Sequence, residues 1–224
     1  MTYNTVRTGR FHSRPNRFIA IVDVDGIETV CHVKNTGRCK ELLVPGCTVV
    51  LEQAANPARK TPYDLIAVYK GDRLINMDSQ APNAVAAAYL ADRFPDAVIR
   101  REVTYGDSRF DFHVQNRDEQ WFVEVKGCTL EIDNVGYFPD APTERGVKHI
   151  RHLIRAVDEG YKAAILFIIQ MEGVAAIRPN DATHPAFGEA LREAAQAGVE
   201  VWAMDCAVTP STLTHKNPVP VDLA

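Results

Sequence analysis

The chain has 224 residues, 46% hydrophobic and 24% charged, with a formal net charge of −4, which sustains one large or two small folded domains and excludes a disordered chain or a strongly basic nucleic-acid coat. No stretch approaches the ~18 apolar residues of a membrane span, and no secretory signal is read. The five cysteines, Cys31, Cys39, Cys47, Cys128 and Cys206, are odd in number and lack a Cys-x-x-Cys pair, so a soluble, unanchored cytoplasmic protein with reduced thiols and no membrane partner is expected.

From Thr8 to Glu52 the pattern is short strands and turns: RFIAIVDVDG, ETVCHVK, then CTVVLEQA after Pro45-Gly46. Strands at this spacing predict a small barrel or sandwich. TPYDLIAVYKGDRLINMD adds two apolar runs with a hairpin turn at Lys70-Gly71-Asp72. Cys31, His32, Cys39 and Cys47 match no common structural zinc spacing. The first twenty residues carry Arg7, Arg10, Arg14 and Arg17 and no acid, and alternate them with Phe11 and Phe18. Two readings stay open there: the aromatics stack on bases while Arg10, Arg14 and Arg17 track phosphates, or both rings are core and only the arginines are exposed.

The pattern changes near Asp78 to Pro82, where a domain boundary is expected. Asn83 is read as the cap of a helix through Ala84 to Arg93, stopped by Phe94-Pro95. Strands at 97 to 104, 108 to 114 and 120 to 127 follow, then a helix at about 142 to 158, a strand at 162 to 170, a helix at 185 to 197 and a strand at 199 to 204. That order implies a mixed sheet covered by helices. The tail NPVPVDLA reads as a loose end. In ERGVKHIRHLIRAVDEG, Val147, Ile150, Leu153, Ile154 and Val157 share one face; Arg145, Lys148, His149, His152 and Arg155 lie largely on the other, with Gly160 as the stop. The polar face is either solvated or a cationic rail for a phosphate backbone, and the absence of an acid between Arg145 and Arg155 favours the rail. Residues 1–80 hold 11 Lys and Arg against 8 Asp and Glu, and residues 81–224 hold 14 against 21. The acidic second half suits a divalent cation.

The chemistry concentrates in SRFDFHV and QWFVEVK. Alternation along a strand puts Glu124 and Lys126 on one face and Val123 and Val125 on the other. Phe110 and Phe112 are expected to face a core, leaving Asp111 with Arg109 and His113, and a hairpin through Gln115 to Gln120 brings Asp111 beside Glu124. Two carboxylates and an amine around Mg²⁺ or Mn²⁺ make a phosphodiester-cleaving set, with Lys126 orienting water and stabilising phosphoryl charge. The alternative is a pair of solvated residues on an open hairpin face; the apolar flanks Trp121, Phe122, Val123 and Val125 argue against it. Asp140 is either a site acid or a helix cap, with capping preferred, and Glu144 is read as a helix-start carboxylate. His113 shares the Asp111 face, whereas His149 and His152 are read as surface partners for phosphate or solvent.

REVTYGDSRFDFHV, WFVEVKGCTLE, GYFPDAPTERGVKHIRHL and VKNTGRCKELLVPG closely resemble the sugar fermentation stimulation protein A family of bacteria and archaea, from RFHSRPNRF to GVEVWAMDC. The FPDAPTERG block is the most specific. The resemblance implies an α/β (α+β) chain: an OB-fold-like barrel over residues 1–80, then a nuclease-like mixed sheet of the PD-(D/E)XK type with flanking helices over 81–224. It also implies DNA binding and a link to regulation of sugar utilisation. It puts the nuclease-like motif on Asp111, Glu124 and Lys126, with Glu102 as a further metal acid. Family members often carry Pro before the Asn-Thr-Gly loop and Ser-Met after it, where this chain has Lys34 and Arg38-Cys39-Lys40. The added charge directs Lys34 and Arg38 toward phosphate contact, and Gly37 is either a close-approach glycine or a turn glycine.

Together these expectations name DNA, duplex or single-stranded, as partner, bound by Arg10, Arg14, Arg17, Lys34, Arg38, Arg145, Lys148 and His152, with oligomeric state open. A Mg²⁺-dependent nuclease is the first reading and a catalytically silent DNA-binding regulator of sugar-utilisation genes the second. An enzyme acting on a small phosphorylated metabolite is a third, which a deep closed pocket would support.

Overall fold

The computed structural model describes residues 1–35 and 37–224. Six strands, β1 (Val6–Asn16), β2 (Ile19–Val24), β3 (Ile27–Val33), β4 (Thr48–Gln53), β5 (Tyr63–Lys70) and β6 (Arg73–Asn76), form one sheet in the order β3-β2-β1-β4-β5-β6. A further pairing of β3 with β5, His32 opposite Asp64 and Val33 opposite Leu65, closes the first five into a barrel and removes its edges. β2 shows the pattern that makes this possible: Ala20, Val22 and Val24 are buried while the residues between them are not. Asp25 and Gly26 turn it into β3 with φ of 54° and 83°, the left-handed pair that a two-residue hairpin requires. Gly71 serves the expected β5–β6 turn at φ 60°.

The second half begins with α1 (Ala81–Arg93) and continues through β7 (Val98–Tyr105), β8 (Ser108–Asn116), β9 (Glu119–Cys128), β10 (Leu130–Ile132), β11 (Val135–Phe138), α2 (Glu144–Asp158), β12 (Lys162–Ile169), β13 (Ala176–Pro179), α3 (Pro185–Gln196), β14 (Glu200–Thr209) and β15 (Thr212–Pro218). Its main sheet has the order β15-β14-β12-β9-β8-β7. β12 runs parallel to both β9 and β14, and the outer pairs are antiparallel. α1 covers one face with Val85, Ala86 and Leu90 against Val123, Leu166 and Ile168; α2 and α3 cover the other with Ile150, Leu153 and Leu191 around Phe122, Ile165 and Phe167. The second of these cores runs on without a break into the barrel interior, through Phe11, Val22 and Leu51.

Several expectations are corrected here. Asn83 is not the cap of α1: the helix starts at Ala81 with Pro82 in its first turn, which its missing N–H favours. Asp140 does not cap α2 either; Thr143 Oγ1 accepts from Gly146 N at 3.1 Å. The tail is not loose. Val219 is buried and its N–H donates to Ala203 O at 2.9 Å, while Val221 bridges to Ile177. The small sheet β10-β11-β13 escapes sequence reading because its strands are only three or four residues long. All five cysteines are free.

Candidate active site

The site forms where strand alternation breaks. β8 pairs with β9 from Asn116 opposite Glu119 up to Phe112 opposite Val123, and there the ladder stops. Instead of a backbone carbonyl, the Asp111 carboxylate takes the next donor, with Val125 N to Asp111 Oδ2 at 2.7 Å. Opposite, Glu102 of β7 has φ 57°, between the regular pairs Arg101–Phe112 and Val103–Phe110. The break turns the side chains over, so Phe110 joins the core under α2 and Phe112 the core under α1. Expecting both on one side was therefore wrong. His113 is buried against the Phe122 ring at 5.1 Å between centroids, with Nε2 3.3 Å from Gln120 Oε1.

β9 keeps its alternation, and Glu124 and Lys126 share a face as expected, with Lys126 Nζ 2.6 Å from Glu124 Oε1. Glu124 is only 3% exposed. Its Oε1 also meets His149 Nδ1 at 2.5 Å. Arg145 Nε donates to His149 Nε2 at 3.4 Å, so Nε2 is the acceptor and Nδ1 carries the hydrogen toward Glu124. Glu124 Oε2 is buried and has no hydrogen-bond partner among the described residues. Asp111 Oδ1 accepts from Asn83 Nδ2 at 2.8 Å.

The two carboxyls are driven apart in acidity. Burial, then the nearby Glu124 charge, push Asp111 above the usual carboxylate range, and the Val125 N–H and Asn83 offset only part of this. Burial also pushes Glu124 upward, but the hydrogen bond from His149 together with Lys126 outweighs it and leaves that carboxyl below its ordinary value. Opposed shifts in adjacent buried acids are typical of sites that handle charge.

His149 is the residue that sequence reading misplaced. At 6% exposure it is no surface partner for phosphate; it falls on the buried stripe Gly146, His149, Ile150, Leu153, Ala156. Its spacing of three from Gly146 and four from Leu153 was the available signal. Asn83 was also missed as a site residue, because its position beside Pro82 suggests a cap. Glu102 is corrected too. Its left-handed backbone turns the side chain, 47% exposed, to Arg109 Nε at 2.9 Å, outside the acid pair. Among the described residues no group of three or more His, Cys, Asp or Glu could form a metal cage. A two-carboxylate site fits Mg²⁺, which keeps several waters, and the unpartnered Glu124 Oε2 is an available ligand atom.

Beside these groups lies an open cleft of about 390 Å³ between barrel and sheet, lined among others by Asn83, Val125, Tyr137, Asp140 and Gln170. Glycine is required next to Lys126: a Cβ at Gly127 would stand 2.6 Å from both Pro82 Cγ and Gln170 Oε1, blocking the approach of α1 to β9. A Cβ at Gly37 would meet Asp140 Oδ2 at 2.7 Å, so Gly37 is a close-approach glycine, although to a side chain of the protein itself.

The expected phosphate contacts divide sharply. Arg17 and Arg38 are exposed. Arg10 is 2.8 Å from Gly46 O at the surface. Arg14 is corrected: its guanidinium donates to the carbonyls of Asn35, Gly37, Arg38 and Arg17 at 2.6 to 2.8 Å and serves as an internal staple. Lys34 is corrected too, being held between Asp78 at 3.0 Å and Glu52 at 3.5 Å. The Asn-Thr-Gly loop expectation falls partly on Thr36, outside the described residues. On α2, Arg145 is exposed but turned to His149, and Lys148 pairs with Asp107 at 2.8 Å. His152 Nε2 is 3.5 Å from the same Asp107, and burial, its chief influence, pushes this imidazole below its ordinary value. Asp107 of the β7–β8 turn thus engages the middle of the rail, Lys148 and His152, which helix periodicity alone does not reveal, while Arg145 and Arg151 stay exposed and in no ion pair among the described residues. Phe11 is core at 1% exposure and Phe18 is 51% exposed, so only Phe11 is a core ring and Phe18 is a surface one.

A closed OB-type barrel followed by a mixed sheet with flanking helices defines the chain as a two-part α/β protein. The sugar fermentation stimulation protein RE domain matches residues 80–212, and the SfsA N-terminal OB domain matches residues 13–77. The sugar fermentation stimulation protein homolog of Desulfitobacterium hafniense (strain Y51) is 53% identical over 225 residues, covering 100% of this chain and 99% of that one. The homolog of Clostridium beijerinckii is 50% identical over 226 residues, covering all of both chains. The solved structure of Pyrococcus furiosus SfsA in complex with Ca²⁺ superposes with a TM-score of 0.88 at 26% identity, over 99% of this chain and 98% of that one. The chain belongs to the sugar fermentation stimulation protein (SfsA) family. Among the described residues no helix is long and apolar enough to cross a membrane.

Proposed function

We propose that this protein binds DNA and hydrolyses its phosphodiester bonds at Asp111, Glu124 and Lys126 with Mg²⁺ or Mn²⁺. The observation that carries the reading is the buried Glu124 carboxylate beside Asp111, with one oxygen anchored by Lys126 and His149 and the other left without a hydrogen-bond partner among the described residues. An unsatisfied buried carboxylate oxygen is costly unless a ligand uses it. The relative from Pyrococcus furiosus, described in complex with Ca²⁺, adds support for a divalent cation in this family.

Asp111 and Glu124 would hold the divalent ion, which would supply charge stabilisation of the phosphoryl oxygens and a lowered pKa for water. The protein's own groups do the rest. Asn83 fixes one oxygen of Asp111 and the Val125 N–H the other, so the carboxylate cannot rotate away. His149 holds Glu124 from beneath the sheet. Lys126 Nζ reaches the same face and can donate to a non-bridging phosphate oxygen when it leaves Glu124.

A catalytically silent regulator of sugar-utilisation genes is the second reading, and the contact that engages Lys126 with Glu124 favours it. A cleavage assay with Mg²⁺ or Mn²⁺ on wild type and Lys126→Ala decides between them. Metal-dependent cutting that falls about 100-fold or more in the variant is the expected outcome. Wild type that cuts nothing, or a variant that cuts equally well, means that the site is not catalytic.

A further inference from the structure

The cleft beside the acid pair does not end there. Gly37 and Ala141 line both it and a second open cleft of about 430 Å³, so the two meet along one seam. Their chemistry differs. The second cleft carries Arg17, Arg38 and Lys40, all exposed and in no ion pair among the described residues. The staple explains their outward aim: Arg14 draws the carbonyls of Arg17, Gly37 and Arg38 inward, which leaves the side chains of Arg17 and Arg38 to point away. The first cleft offers neutral hydrogen-bonding groups instead, Asn35, Asn83, Thr129 and Gln170, with Tyr137 on its wall and Asp140 at the seam.

We infer that these clefts form one groove for a single-stranded segment of polynucleotide, with phosphates along Arg17, Arg38 and Lys40 and an unpaired base in the neutral cleft next to Asp111 and Glu124. The inference rests on the phosphodiester reading of the acid pair and specifies its substrate. Cations that follow a backbone and a pocket that takes a base are the two components of single-strand recognition. The neutral cleft, open and about 390 Å³, has room for a single unstacked base. Asp140 repels phosphate, so the strand turns a base edge to it, where its carboxylate accepts from an exocyclic amino group. On α2, Lys148 and Arg155 are paired with Asp107 and Glu159, and Arg145 and Arg151, exposed and in no ion pair among the described residues, line neither cleft.

Fluorescence anisotropy in EDTA, where no cutting occurs, tests the groove with a labelled twelve-nucleotide single strand and a blunt duplex of the same length. The single strand is expected to bind at least tenfold more tightly than the duplex. Substituting Arg17, Arg38 and Lys40 together by Ala is expected to weaken it tenfold or more at low salt. The slope of log affinity against log salt should fall by about 2, at roughly 0.7 for each phosphate that is no longer neutralised. Ala141→Trp, which fills the seam without altering charge, should weaken the single strand severalfold and leave the salt slope unchanged. The triple variant changes only exposed side chains, and its melting temperature verifies folding. Duplex bound as tightly as single strand, or undiminished binding by a folded triple variant, overturns the groove. The cleavage assay fails separately: a protein that grips single strands without cutting them keeps the groove and loses the nuclease, and one that cuts while the triple variant binds normally does the reverse.

Discussion

Asp111 carries opposing demands. Its carboxylate replaces a missing rung of the β8–β9 ladder, yet it is buried beside a second acid. Because its folded pKa is raised, the ionised form is less well accommodated in the folded chain than in the unfolded one. The penalty is fully present above the folded pKa and absent below the unfolded value of about 3.9. Asp111→Asn keeps an oxygen for the Val125 N–H, and Asn83 can turn its amide to match the new NH₂. In EDTA at pH 7 to 8 this variant is expected to melt about 2–4 °C above wild type, the yield of roughly 1 kcal/mol in a chain of this size. The advantage should shrink as the pH falls toward 4. A lower melting point for the variant at pH 7 would show that the carboxylate is favourably held. A stability gain from a substitution that removes a site acid is the usual signature of strain kept for function.

At the scale of the element, barrel closure depends on a short parallel contact between β3 and β5. Two backbone pairs make it, His32–Asp64 and Val33–Leu65, and side chains reinforce it: Asp64 takes His32 Nδ1 at 2.8 Å and the Arg59 guanidinium at 2.8 and 2.9 Å. Burial raises the Asp64 pKa, but Arg59 and His32 more than compensate and hold it below the ordinary value. A depressed carboxyl contributes stability that is present above the unfolded pKa and lost as pH falls through the folded one. Asp64→Asn is therefore expected to cost about 2 kcal/mol at pH 7, a typical figure for hydrogen bonds to a charged group. Denaturation of the two proteins across pH 7 to 2 should show the gap closing below about pH 4. A gap that persists at pH 2 would mean that packing, not charge, closes the barrel.

At the scale of the molecule, barrel and sheet are joined through a buried polar network. Gln170, 2% exposed at the end of β12, donates to Asn76 Oδ1 at 2.9 Å and Asp78 O at 3.0 Å. Asn76 donates to the Tyr3 hydroxyl at 2.8 Å, and Lys34 sits 3.0 Å from Asp78. This junction forms one wall of the proposed groove, so its rigidity sets the groove's width. Gln170→Ala removes the donor to Asn76 Oδ1 and Asp78 O in a dry setting, at about 1–3 kcal/mol. Both tryptophans, Trp121 and Trp202, lie in the sheet. Denaturation followed by their fluorescence and by far-UV circular dichroism is expected to coincide in wild type and to separate in the variant. Coincident transitions in Gln170→Ala would show that the apolar core running through Phe11, Leu51 and Phe167 suffices to couple the two halves.

What the chain's order of residues determined by itself was mostly local. Alternation of apolar residues marks the strands that carry Glu124 and Lys126, Gly71 marks a hairpin, and the stripe Val147, Ile150, Leu153 marks α2, because each depends on a period of two or 3.6 within one element. Only the tertiary structure decided which polar groups meet. His149 at Glu124, Asn83 at Asp111, Asp107 at Lys148 and Arg14 at four loop carbonyls are partners 21 to 41 residues apart, except for Arg17, which is three away. A charge leaves no periodic trace of its partner, and a single left-handed residue such as Glu102 can turn over a strand whose composition looks regular throughout.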